Sequence, residues 1–199
     1  MAISVINQSQ QNAAKIAGSM FLFLIILYFA EQLIAPKISV ATVKKITEIS
    51  IQVIYIASAV LLAVTLYQSL KPVNQKLSLF AMVWRLGETI TVVIMMIFSI
   101  QGKDSTVGFN ISAIFFSIGS LIFFYLFLKS KYIPKIISVF GIFASVMVTV
   151  VGSAMLISPN LAGVIQFGWL PMIIAEIATG VWLLFKGLRP IKVPSNLIN

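Results

Sequence analysis

The chain has 199 residues, 60% hydrophobic and 10% charged, with a mean hydropathy of +1.07; soluble domains average roughly 45–50% and 25%, so a water-soluble globular domain is excluded. Zero cysteine and zero histidine exclude thiol nucleophiles, disulfides, histidine-held haem and nearly every zinc site. The net charge of +9 comes from lysines that flank hydrophobic runs, which fits topology setting and anionic lipid rather than nucleic acid.

In chain order, residues 1–12 are polar, rich in Gln, Asn and Ser, and lack the pattern of a cleaved signal peptide. Apolar spans follow at 16–34, 46–70, 77–100, 111–128, 136–157 and 164–185. Each holds about 18–24 residues, enough at about 1.5 Å per residue to cross a hydrocarbon core of about 30 Å. The breaks carry turn chemistry: Pro36 and Lys37, then Lys71-Pro72-Val73-Asn74, Gln101-Gly102-Lys103-Asp104, Lys129-Ser130-Lys131 and Ser158-Pro159-Asn160. No span alternates as a membrane barrel strand does. The expected fold is all-α: a polytopic integral membrane protein, a single domain built as a bundle of six transmembrane helices. The remaining loops and tails are too short for an extramembrane catalytic, nucleotide-binding or DNA-reading domain.

With the amino terminus in the cytoplasm, the inner segments hold Lys15, Lys71, Lys76, Lys129, Lys131, Lys135, Lys186, Arg189 and Lys192, against Lys37, Lys44, Lys45 and Lys103 outside. That bias favours both termini inside. Gly141, Ser145, Thr149 and Ser153 recur every four residues along the fifth span and make a small-residue stripe that lets another helix approach. Pro171 lies within the sixth span, where its missing amide hydrogen should kink the helix near Trp169 and Leu170.

Charges inside the spans are the informative positions, because each costs from about 2.5 to over 10 kcal/mol in hydrocarbon unless it finds a partner or water. Counted inward, Arg85 lies about 13 Å deep, Glu88 about 17 Å and Glu176 about 18 Å, all near mid-membrane. Arg85 and Glu88 are three residues apart and share a helical face, whereas Glu176 can reach Arg85 only from another helix. One guanidinium against two carboxyls leaves an acid in excess, a place for a proton. Arg85 suits such a cluster through its planar fork and permanent charge. Glu31 and Glu48 belong to the outer half, where each can meet the other or Lys44 and Lys45. Trp84 and Thr91 flank Glu88, Trp169 shares the Glu176 face, Tyr28 stands a turn before Glu31, and Gln52 and Tyr55 continue the Glu48 face. Together these would line a small amphipathic cavity. The ligand-binding candidates are Arg85, Glu88, Glu176, Glu31, Trp84, Trp169 and Tyr28. The competing reading is a buried ion pair that only sets helix register.

Several motifs together resemble a bacterial membrane-protein family, domain of unknown function 4386, from about Ala14 to Leu188. They are Lys15-Ile16-Ala17-Gly18; Leu66-Tyr67 through Lys71-Pro72-Val73-Asn74 into Trp84-Arg85-Leu86-Gly87-Glu88; Tyr132-Ile133-Pro134-Lys135; and the closing Glu176-Ile177-Ala178-Thr179-Gly180 through Lys186-Gly187. The family pattern usually has a hydrophobic residue in place of Gly87, a departure expected to loosen the third span. The resemblance implies a six-helix protein of the bacterial inner membrane, with Arg85, Glu88 and Glu176 at recurrent positions. It implies no activity.

Three functions compete: binding or transport of a small molecule, lipid, ion or proton at the cluster; a structural or accessory subunit; and an intramembrane acid-base enzyme on a lipid-soluble substrate. The first is favoured. The third lacks an accompanying nucleophile, metal motif or phosphate cradle. No metal or cofactor is expected; the expected partners are membrane lipids and a small amphipathic ligand or proton.

Overall fold

Within hydrocarbon the backbone has no water to bond to, so each apolar run must close its hydrogen bonds on itself as a helix. The computed structural model describes residues 6–158 and 166–190. It contains the helices α1 (Gln8–Ile34), α2 (Ala41–Leu70), α3 (Gln75–Ile100), α4 (Thr106–Ser130), α5 (Lys135–Ile157) and α6 (Leu170–Phe185). Six helical segments are long and apolar enough to cross a membrane, and no strand occurs among the described residues. The chain is therefore an all-α, multi-pass membrane protein. Lys192 of the orientation count, Pro159 and Asn160 of the fifth turn, and Val164 at the expected start of the sixth span lie outside the described residues.

The helix ends follow local chemistry. Asn7 caps α1 by accepting a hydrogen bond from the Gln10 amide at 2.7 Å, and Asn74 caps α3 by accepting from the Leu77 amide at 3.0 Å. Gly102, at φ +71°, terminates α3: its amide bonds Ser99 O at 3.0 Å and the Lys103 amide bonds Phe98 O at 2.9 Å, a Schellman closure that needs a left-handed residue. Past that turn, Asp104 Oδ1 accepts from the Thr106 amide at 2.9 Å and its hydroxyl at 2.7 Å. Both bonds favour the charged carboxylate and hold Asp104 below the usual aspartate range. A group lowered on folding contributes stability that is complete above its unfolded value and is lost as pH falls through the folded one. Acidification from about pH 5 to about pH 2 should therefore lower the protection of the Thr106 amide, measured against the intrinsic exchange rate at each pH, and Asp104→Ala should show that low protection at both pH values.

Two boundaries differ from the sequence reading. The polar opening is not all tail: α1 begins at Gln8, and Gln10, though buried, donates through Nε2 to Ser69 O at 2.7 Å and to Tyr132 Oη at 3.2 Å. Its amide is thus satisfied by the ends of other helices. Pro171 does not kink a long helix. It occupies the first turn of α6, where no amide donor is needed, behind a short 3₁₀ turn at Gln166–Trp169.

Each helix packs on its neighbours in sequence, and α6 packs on α1, so the six close into a ring, with α2 also touching α4 across it. The closing seam is tight at Gly18, where a Cβ would lie 2.6 Å from the Leu184 amide nitrogen and 2.8 Å from Gly180 O. The small-residue stripe of α5 faces α4: the Phe124 ring fills the space beside Gly141, and Thr149 donates to Ser117 Oγ at 2.8 Å. Buried hydroxyls elsewhere bond back along their own helices, as Thr65, Ser69, Thr89 and Thr179 do to carbonyls four residues earlier.

The lysine-rich end is locked. Beyond the Gln10 bonds, Leu188 N donates to Gln11 Oε1 at 3.0 Å and Arg189 N to Tyr132 O at 2.8 Å, so the start of α1, the α4–α5 turn and the chain after α6 hold one another. Burial is uneven toward the other end. Buried residues of α1 stop at Leu24, those of α3 stop at Thr89, and those of α2 begin only at Ser58. Packing is therefore dense at the lysine-rich end and loose at the opposite end of α1, α2 and α3.

Candidate functional site

Arg85 and Glu88, both 3% exposed, sit where the dense half meets the loose one. Their three-residue spacing puts them on one face of α3, and Arg85 Nη1 lies 3.1 Å from Glu88 Oε2. The two atoms are close, but neither has an aligned hydrogen bond. Glu88 Oε1 does have one, from Tyr55 Oη on α2 at 2.9 Å. The guanidinium carbon stands 4.3 Å from the centre of the Phe116 ring on α4, a cation–π contact in a desolvated place.

α4 makes the slot for this arginine. A Cβ on Gly119 would lie 2.8 Å from Arg85 Cγ, so only a glycine leaves room for the aliphatic stem. Beside it is a cavity of about 10 Å³ lined by Arg85, Ser120, Phe21, Leu66, Phe123, Phe124 and Phe127. That is about one water's worth of space.

The sequence candidates divide. Glu176, half-buried on α6, lies within electrostatic range of Arg85 and Glu88. No ion pair within 4.0 Å joins it to Arg85 among the described residues; the guanidinium is spent on Glu88 and Phe116. Trp169 reaches the cluster at second hand, its ring 5.9 Å from that of Phe116 and 5.8 Å from that of Phe109. Trp84, next to Arg85 in sequence but rotated to another face, packs on Phe115 at 5.1 Å and Phe80 at 6.0 Å. Phe115 also takes the space a side chain at Gly87 would occupy, so α3 is filled there instead of loosened. Glu31, half-buried, senses Glu48, which pairs with Lys44 at 4.0 Å; these form a separate group toward the loosely packed end. Tyr28 is 49% exposed and packs edge-on against Phe29, facing out of the bundle. The seven candidates thus fall into a buried pair with Glu176 in range, two tryptophans packed on neighbouring phenylalanines, and Glu31 and Tyr28 apart from them.

Sequence reasoning passed over Phe116 and Gly119. Phe116 is one of 15 phenylalanines and carries no distinguishing signal. Gly119 stands in a small run, Ser117-Ile118-Gly119-Ser120, amid the aromatics of α4, a detectable sign that something bulky faces it. Tyr55, read from the sequence as continuing the Glu48 face, completes one polar stripe on α2 with Lys44, Glu48 and Gln52 at spacings of four, four and three, all half-buried, and only the structure adds its bond to Glu88.

Residues 99–187 match the family model described as Domain of unknown function (DUF4386). This is the family the motifs resemble. The matched stretch holds α4, α5 and α6 with Phe116, Gly119, Trp169 and Glu176; Arg85, Glu88 and Tyr55 precede it. No curated protein and no solved structure matches the chain. Among the described residues no group of His, Cys, Asp and Glu could hold a metal ion.

Proposed function

We propose that this membrane protein works in the bacterial inner membrane by binding a proton at the Arg85, Glu88 and Glu176 cluster and passing it across the bilayer. The observation that supports this most is the imbalance around a buried ion pair: two acids, Glu88 buried and Glu176 half-buried, within range of a single guanidinium, beside a cavity of about 10 Å³. A space that size beside the guanidinium holds about one water, so a proton or a single water fits it as occupant. The route is the polar stripe of α2. Tyr55 is the hydroxyl bonded to Glu88, and Gln52, Glu48 and Lys44 continue from it into the loosely packed end. On the other side lies the dense core of the lysine-rich end, which must open transiently for the proton to pass.

The test is proton flux into vesicles that contain the purified chain and a pH-sensitive dye, driven by a potassium diffusion potential. Glu176→Gln is expected to lower flux at least about tenfold with folding retained, and Tyr55→Phe to lower it less, since a water can bridge to Glu88. Flux equal to that of empty vesicles, or unchanged in Glu176→Gln, would overturn the reading.

The seating of Arg85 between Gly119 and Phe116 favours a second reading, an accessory subunit in which the pair only sets register. The triple variant Arg85→Met, Glu88→Leu, Glu176→Leu separates the two. Retained folding with retained cellular phenotype favours the accessory role; retained folding with lost flux favours the proton.

A further inference from the structure

The face of α5 that looks away from the bundle carries an open apolar groove of about 730 Å³, lined by Lys135, Ile136, Val139, Phe140 and Phe143. Phe140 leans on the core, Phe143 stands 6.3 Å from it ring to ring, and Ile136 is 78% exposed at the groove's end. The apolar face continues down the helix through exposed Val146 and Val150. The charge at its mouth is one-sided: Lys129, Lys131 and Lys135 are all exposed within seven residues. Lys131 is held in a left-handed conformation at φ 58°. The turn they occupy is rigid, because Tyr132 is tied to Gln10 and to Arg189 N.

We infer that this groove is a binding site for an anionic phospholipid, its phosphate at Lys131 and Lys135 and an acyl chain along Ile136, Val139 and Phe143. Charge complementarity decides the occupant. A second copy docked symmetrically would bring the same lysines of two subunits, each of net charge +9, to one end of the interface. An anionic headgroup at the membrane surface is attracted by those lysines. The aromatic ridge and the apolar run below it match an extended hydrocarbon chain, which a free phosphate does not have.

The experiment is native mass spectrometry of the delipidated full-length chain titrated with dioleoyl phosphatidylglycerol, dioleoyl phosphatidylcholine or glycerol phosphate. Phosphatidylglycerol is expected to bind at least about fivefold tighter than phosphatidylcholine, about what one lysine contributes near a membrane surface. Lys131→Gln with Lys135→Gln should bring the two lipids to parity, Lys131→Arg with Lys135→Arg should keep the preference, and Phe143→Ser should weaken both lipids alike. A preference that survives the double glutamine variant overturns the site. So does glycerol phosphate that competes as well as the lipid, or a Phe143→Ser variant that binds as before. Because the chain has no cysteine, Val139→Cys adds a direct check: disulfide-linked dimers would assign the groove to a second copy and overturn the lipid, whereas a monomer whose thiol phosphatidylglycerol shields from maleimide supports it.

Discussion

Glu88→Leu alone should lower stability by about 3–5 kcal/mol, whereas Glu88→Leu combined with Arg85→Met should recover most of that loss. The single change leaves a guanidinium 3% exposed and facing Phe116 with no carboxylate at 3.1 Å, and it strips Tyr55 of its acceptor. A buried charge stripped of its nearest partner is expensive even with Glu176 in electrostatic range, but removing both charges together removes the desolvation cost along with the attraction. Methionine suits the position, since its unbranched side chain lies in the Gly119 slot as the arginine stem does. Arg85→Met alone should cost less than Glu88→Leu, because an isolated carboxyl can take up a proton and an isolated guanidinium cannot give one away. The check is unfolding in mixed detergent micelles with increasing denaturing detergent, run as a double-mutant cycle. A double variant as unstable as Glu88→Leu would mean that the charges stabilise the bundle beyond their mutual compensation.

Gly18→Leu should lower stability by about 3 kcal/mol, the upper end for overpacked cores. The first added carbon would meet the backbone of Leu184 at 2.6 Å and of Gly180 at 2.8 Å, and backbone cannot turn aside as the end of a side chain can. The strain falls on the seam that closes the ring. α6, which carries Glu176, must then move away from α1. Gly18→Ala should show the same effect in smaller measure. In the flux assay Gly18→Leu should lower transport even where detergent-stable protein is recovered, because the distance between Glu176 and Arg85 depends on that contact. A Gly18→Leu variant as stable as the parent would show that α1 and α6 can slide past each other at no cost.

How far the site could be read from the sequence depends on the range of the interaction. The Arg85–Glu88 pair was legible because both groups lie on one helix, where a spacing of three fixes the neighbours whatever the bundle does. Counting gives Glu176 a depth like that of Arg85 and Glu88, and it lies within electrostatic range of both, yet depth carries no azimuth, and whether it touches Arg85 or only senses it depends on how α6 is rotated within the ring. Tyr28 shows the same limit from the other side. A turn before Glu31 in sequence, it faces out, since a helix that is apolar all round gives little sign of which side meets protein and which meets lipid. Gln10 reads as a tail residue because its partners, Ser69 and Tyr132, are remote in sequence.

By itself the sequence determined that this chain folds as an all-α membrane protein with six spans, and that charges within those spans are expensive. All of these follow from hydropathy and spacing within one segment, where neighbours along the chain are neighbours in space. Only the tertiary structure decided that the six helices close into a ring, that Gly119 and Phe116 seat the guanidinium, that Tyr55 rather than Trp84 touches Glu88, and that one end is dense while the other is open. Each of those depends on the rotation of one helix against another. In a bilayer that rotation is set by small-residue contacts and a few polar bonds, because lipid is as apolar as the helices and exerts no pull of its own.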